Sequence, residues 1–223
     1  MNNEKNYYMY KMNTSILNVL SCIIYIIIFG ITYLLKDYFS FTSNAINVSI
    51  ALCIPYLFLH EIIHSISYVV NGADFKNITY GCHLEKGILC CLCKQDIKRK
   101  NILISLLAPL FVLGFFPLII SFIFKFEILY ILAMINIGGC SGDIVMFYHL
   151  SKIKNFEFSE YNDPIAFGLL GKKDLENRKM FGLDYVGKQT SLKRDDLKKV
   201  DASIGNIIAL AILILSAITM LVI

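Results

Sequence analysis

Long, almost uncharged stretches alternate with shorter charged ones along the chain, and this pattern predicts a membrane protein. Each apolar stretch has about 20 residues or more, the length that an α-helix needs to cross a bilayer. We therefore predict an all-α polytopic membrane protein with about five transmembrane helices, forming one integral-membrane domain over residues 1–223. The predicted spans lie at about 15–35, 44–70, 101–124, 128–150 and 203–223.

Two polar segments, 71–100 and 151–202, separate the spans and are expected to lie on one side of the membrane. The first contains two runs of strand-like composition, 75–80 and 88–93, around the turn-forming Glu85-Lys86-Gly87, which predicts a small β-hairpin-like loop. In the second, the charge-rich stretch 193–199 predicts a solvated helix before the fifth span.

Composition and charge placement fit a membrane location. The chain is 57% hydrophobic and 17% charged, with a mean hydropathy of +0.62. Of the 21 Lys and Arg residues, 19 fall in the N-terminal segment and the two long loops, which places these segments and the N-terminus in the cytosol of a multi-pass cell-membrane protein. The basic residues flank spans and form no long stripe, so membrane lipid is an expected partner and nucleic acid is not.

The second span carries the motif His60-Glu61-Ile62-Ile63-His64. Residues four apart share one helix face, so both imidazoles can bind one metal ion, while Glu61 can reach a water beside it. Zinc hydrolases use this H-E-x-x-H arrangement, with the two His as ligands and the Glu as general base. The alternative is that the three polar residues only hydrogen-bond to a neighbouring helix. Polar groups inside a membrane are costly, which favours a functional site.

Asp143 is the expected third zinc ligand. It is the only other carboxylate well inside a predicted span, and both His64 and Asp143 lie six residues from the cytosolic end of theirs, ~9 Å deep. The alternative is a helix-end residue near the interface or a hydrogen bond to another helix. Asn136, two turns earlier, is expected to orient Asp143 or to hold substrate. Gly138, Gly139 and Gly142 allow close helix approach or local unwinding.

A cysteine-rich group in the first loop has two interpretations. It consists of Cys82, His83, Cys90, Cys91 and Cys93. A second structural zinc is one, although the spacing lacks the paired C-x-x-C of common zinc sites. The other, which we favour, is that the cysteines act as small apolar residues that pack the hairpin against the spans.

The chain resembles the integral-membrane zincin peptidases, a family first catalogued as a domain of unknown function and similar in layout to the site-2 proteases. The resemblance covers roughly residues 55 to 170. It rests on the residues His60-Glu61-x-x-His64, Leu107-Ala108-Pro109, Asn136, Ser141-x-Asp143-Ile144, Tyr161-Asn162-Asp163-Pro164 and Phe167-Gly168. It implies zinc bound by His60, His64 and Asp143, with Glu61 as the catalytic acid and base. Site-2 proteases have Pro where Gly139 stands and Gly where Ile144 stands, so we favour the zincin-like family.

These observations together predict a zinc-dependent intramembrane or membrane-embedded peptidase whose substrates are peptides or membrane proteins. The alternative is a non-catalytic zinc-binding membrane protein with an accessory, sensing or immunity-type role. Glu61 separates the two hypotheses, because a purely structural zinc site needs no free carboxylate beside its ligands.

Overall fold

A computed structural model describes residues 6–83, 88–160, 165–171, 175–176 and 178–190 of the chain, without the side chains of 82–83 and 88–89. The helices are α1 (Thr14–Leu34), α2 (Lys36–Phe39), α3 (Ser43–Val70), α4 (Arg99–Pro109), α5 (Phe116–Phe124), α6 (Glu127–Gly139) and α7 (Ser141–Ser151). A short 3₁₀-helix, Phe75–Asn77, precedes β2, and a π-helix, Leu110–Phe115, joins α4 to α5. The strands are β1 (Tyr7–Met12), β2 (Ile78–His83), β3 (Ile88–Cys93), β4 (Ile97–Lys98), β5 (Glu157–Glu160), β6 (Ala166–Leu170) and β7 (Leu183–Gln189).

Three helical stretches of the described chain are long and apolar enough to cross a membrane: α1, α3 and the continuous run Arg99–Phe124. The helices α6 and α7, predicted as one straight span, are bent by 49° at Cys140 and would make a fourth span if counted together. The expectation of about five spans is therefore wrong for the described residues, and the predicted span at 203–223 lies outside them. Helix α1 buries none of its residues, and Leu34 is 81% exposed, as expected of a surface that faces lipid.

The expectation of an all-α protein is also wrong, because a five-stranded antiparallel sheet packs beside the helices. Its strand order is β4-β5-β6-β1-β7, so the N-terminal strand lies in the middle, paired with β6 from Tyr7 to Lys11 and with β7 on its other side. The aromatic run Tyr7-Tyr8-Met9-Tyr10 has high strand propensity and is buried. Sequence reading missed the sheet because its central strand, β1, pairs with strands more than 150 residues away along the chain.

The sheet and the helices share one hydrophobic core. Tyr8, Tyr10, Phe158 and Leu169 from the sheet lie in one cluster with residues of α3, α4 and α7, among them Leu150. The polar hydroxyl of Tyr10 donates to the Leu175 carbonyl within this core, which satisfies a buried group. The core thus connects the N-terminal strand and both long polar segments to the helix ends that carry the predicted site.

The β-hairpin predicted in the first loop is present as the antiparallel pair β2–β3, and its expected turn at 85–87 lies outside the described residues. The backbone N–H of Lys94 donates to the Asn77 carbonyl (2.7 Å). The backbone N–H and C=O groups of even-numbered residues in β3 therefore point toward β2. The N–H groups of Cys91 and Cys93 consequently point to the free edge of the hairpin. The side chains of Cys91 and Cys93 are buried in the main core, as the apolar interpretation of this cluster predicted.

Helices α1 and α6 approach each other at Gly138. A Cβ added at Gly138 would lie 2.3 Å from the Tyr25 ring, whereas one added at Gly139 would meet nothing within 4 Å. The Tyr25 hydroxyl donates to the Ile135 carbonyl (3.0 Å), which holds the ring in this place. Of the predicted small-residue contacts, the one at Gly138 is therefore the tight one.

We expect Gly138→Ala to lower the thermal stability of the purified protein, because the new methyl group forces the Tyr25 ring away from its hydrogen bond. Overpacking of this kind costs about 1–3 kcal/mol. The matched control is Gly139→Ala, which adds the same methyl to open space and should be neutral or stabilising. Equal melting temperatures of the two variants would contradict the close approach of α1 and α6.

Candidate metal centre

His60 and His64 lie on one face of α3, one helical turn apart, and both are buried. Their Nε2 atoms are 3.2 Å apart. Asp143, in the first turn of α7, places Oδ2 3.3 Å from His60 Nε2 and 3.5 Å from His64 Nε2. The three residues predicted from the sequence as ligands are thus brought together, and they form a group able to hold a metal ion.

The spacing of these three atoms fits a tetrahedral zinc ion. Zinc binds His nitrogen and carboxylate oxygen at about 2.0–2.2 Å, so two ligand atoms of a tetrahedral site are ~3.3 Å apart. The three measured separations, 3.2, 3.3 and 3.5 Å, all lie close to this edge length. Two imidazoles and one carboxylate are also a donor set that zinc accepts, and they leave the fourth corner of the tetrahedron for water or substrate.

Both imidazoles are fixed by hydrogen bonds from their other ring nitrogen. His60 Nδ1 donates to Asn136 Oδ1 (2.9 Å), and His64 Nδ1 donates to the Ser105 carbonyl (2.9 Å). With Nδ1 protonated, Nε2 of each ring carries the lone pair that a metal needs. This is the outer arrangement that orients metal-binding histidines in proteins.

Asn136 contacts a predicted metal ligand, as one of its expected roles requires, but that ligand is His60 and not Asp143. Its amide oxygen accepts the hydrogen bond from His60 Nδ1. Its Nδ2 donates to the Pro109 carbonyl (3.0 Å), next to the π-helix that begins at Leu110. Asn136 is only 1% exposed, so it is held too deeply to serve as an open substrate contact.

Glu61 lies beside the three ligands without belonging to their group. The backbone N–H of Cys91, on the free edge of β3, lies near its carboxylate. All four residues of the centre line one cavity of about 390 Å³, bounded by α1, α3, α7 and strands β3, β5 and β6. The hairpin predicted from the sequence thus supplies one wall of the site.

Two further residues of this cavity were missed by sequence reasoning, Tyr68 and Glu160. Glu160 ends β5; it accepts hydrogen bonds from the Tyr68 hydroxyl (2.9 Å) and from the backbone N–H of Cys93. Burial raises the pKa of the Glu160 carboxyl to about 7, and the two hydrogen bonds only partly offset this. The one available signal was the position of Tyr68, four residues after His64 and hence on the same face of α3.

These positions can now be compared with known proteins. Residues 53–156 match a family model described as "Putative zincin peptidase". The match covers a little less than half of the chain and includes His60, Glu61, His64, Asn136 and Asp143, whereas Glu160 lies beyond it. The resemblance drawn from the sequence is thereby confirmed for the segment that carries the site. Searches of curated proteins and of solved structures each found no match.

We expect the purified protein to bind about one zinc ion and each of His60→Ala, His64→Ala and Asp143→Ala to lose most of it, because two remaining protein ligands bind zinc poorly. Asn136→Ala should bind zinc about 10- to 100-fold more weakly, because His60 loses the bond that orients it. Zinc content by mass spectrometry and competition with a chelator measure both effects.

The control for these variants is His149→Ala, which removes a histidine of α7 that lies outside the ligand group. It should keep full zinc content. Full zinc content in Asp143→Ala would show that Asp143 is not a ligand.

Proposed function

We propose that this chain is a membrane-embedded zinc peptidase that hydrolyses a peptide bond in the cavity between α3 and the strands. The observation that carries the proposal is the meeting of three ligand atoms at zinc spacing with a separate carboxylate, Glu61, in one cavity. The family match to a segment described as a zincin peptidase supports the same reaction class.

In the proposed reaction, His60, His64 and Asp143 hold the zinc ion, with Asn136 and the Ser105 carbonyl keeping the imidazoles in place. A zinc ion bound there would lower the pKa of a water molecule and would polarise the scissile carbonyl. Glu61 accepts the proton of the attacking water and then delivers it to the leaving amine. The N–H of Cys91 lies near the Glu61 carboxylate, whose acceptor positions remain open for both transfers.

The location of the site in α3 supports membrane embedding. Helix α3 is itself a candidate span, and it carries exposed apolar residues such as Ile50 and Ile66. The sheet and the hairpin lie at the ends of the helices, and water can enter the site from that end. The N-terminal segment and the loops 71–100 and 151–202 contain 19 of the 21 Lys and Arg residues. These segments, which contribute the sheet and the hairpin, therefore face the cytosol, and the N-terminus is cytosolic.

The central test of the proposal is Glu61→Gln. This variant keeps the size of the side chain and its capacity to form hydrogen bonds but removes the base, so cleavage of a membrane-peptide library should fall by at least about 10²- to 10⁴-fold. Its zinc content and melting temperature should match or exceed those of the wild type, because an uncompensated carboxylate in this apolar helix is replaced by an amide.

Cleavage, zinc content and melting temperature are measured on the same preparation, with Glu157→Gln as the control. Glu157 is a carboxylate of β5 outside the cavity, and its variant should cleave as the wild type does. Equal cleavage by Glu61→Gln and wild type would overturn the mechanism. Intact zinc without cleavage by any variant would favour the non-catalytic alternative.

The proposed orientation is tested by cysteine labelling of intact cells in a background without the native cysteines. Cysteines placed at Lys76 and Lys188 should be labelled by an impermeant reagent only after the membrane is opened. A cysteine at Lys125, in the short connection between α5 and α6, should be labelled from outside. The reverse pattern would overturn the orientation and leave the metal centre unaffected.

A further inference from the structure

Two carboxylates of the cavity lie at the same strand edge. On the free edge of β3, the N–H of Cys93 donates to Glu160, and the N–H of Cys91 lies near the Glu61 carboxylate. The two N–H groups are two residues apart on one strand, so they are ~7 Å from each other. Glu160 is therefore fixed about two residues of extended peptide away from the proposed general base.

Glu160 accepts hydrogen bonds but has no cationic partner among the described residues. It accepts hydrogen bonds from the Tyr68 hydroxyl and from the Cys93 N–H, both of which are neutral. A carboxylate has room for about four hydrogen bonds, so two acceptor positions are left. Buried charges in proteins are paired as a rule, and burial raises the pKa of this carboxyl.

Among the described residues that line the cavity, the charged side chains are acidic and not basic. Its lining residues include three carboxylates, Glu61, Asp143 and Glu160, and no Lys or Arg among the described ones. Asp143 and Glu61 are taken up by the zinc ion and the reaction. Glu160 is the one lining carboxylate that the proposed mechanism does not use.

We infer that Glu160 is a specificity determinant that binds a positively charged group of the substrate within about three residues of the scissile bond. This inference rests on the proposed function. The group is an ammonium or guanidinium, supplied by a Lys or Arg side chain or by a free peptide N-terminus. The Glu160 carboxylate meets it across the cavity, while Tyr68 and the Cys93 N–H hold the carboxylate in position.

A binding assay tests the inference without cleavage. The chain contains no Trp, so the fluorescence of a Trp-containing apolar peptide reports its binding directly. Each peptide carries a single Lys at one of the three positions on either side of its centre, and its neutral counterpart carries Met at that position. Every peptide is made with an acetylated and with a free N-terminus. They are titrated at pH 8 into the zinc-loaded full-length Glu61→Gln protein and into the same protein with Glu160→Gln added.

We expect at least one Lys peptide, or the free N-terminus, to bind the Glu61→Gln protein about 10- to 100-fold more tightly than its neutral counterpart. Glu160→Gln should abolish this preference and leave the affinity for the Met peptides unchanged. Glu160→Asp, which keeps the charge, should retain part of it. The acetylated and free forms of the peptides show which of the two sources supplies the cation.

The matched control is Glu157→Gln in the same Glu61→Gln background, which removes a carboxylate of β5 outside the cavity and should keep the full preference. No preference in the Glu61→Gln protein, or the same preference after Glu160→Gln, would overturn the inference. Absence of binding by every peptide would overturn it as well. Failure of the proposed function gives a different result: the wild type cleaves nothing, while the Glu61→Gln protein still prefers the Lys peptides.

Discussion

Every nitrogen of a buried imidazole needs a partner, and in this protein that requirement ties the helices together around one point. His60 and His64 lie in an apolar helix, where an unpaired polar atom is costly. Their Nδ1 atoms are satisfied by Asn136 and by the Ser105 carbonyl, on two other helices. The Nε2 atoms are thereby left facing Asp143 and each other, at the separations a tetrahedral zinc site has.

Because of the bend at Cys140, the two halves of one broken helix contact both ring nitrogens of His60. Asn136, before the bend, binds Nδ1 of His60, while Asp143, after it, approaches Nε2. The α4–α5 run joins the arrangement through Pro109, whose carbonyl accepts from Asn136 at the edge of a π-helix. Irregular helical geometry of this kind is frequent at functional sites, because it re-aims groups that a regular helix would place elsewhere.

The strands complete the centre in a way that helices could not. A free strand edge presents N–H groups at a fixed repeat; in β3 that of Cys93 holds Glu160, and that of Cys91 lies near Glu61. The zinc ligands come from the helices, whereas the hairpin fixes the carboxylate that would contact substrate. The five-stranded sheet also fixes this carboxylate through β5 and shares a core with α3, α4 and α7.

The sequence by itself determined the chemistry of the centre: the i, i+4 spacing of His60 and His64, the adjacent Glu61, and a matching depth for Asp143 can all be read from local rules. Spans up to α5 and the hairpin were predictable for the same reason, since apolar length and strand composition are local properties. Only the tertiary structure decided the sheet, the bend at Cys140, the attachment of Asn136 to His60 and the place of Glu160. The sheet, the contact of Asn136 with His60 and the place of Glu160 depend on contacts between residues far apart in the chain, and neither periodicity nor composition carries information about such partners.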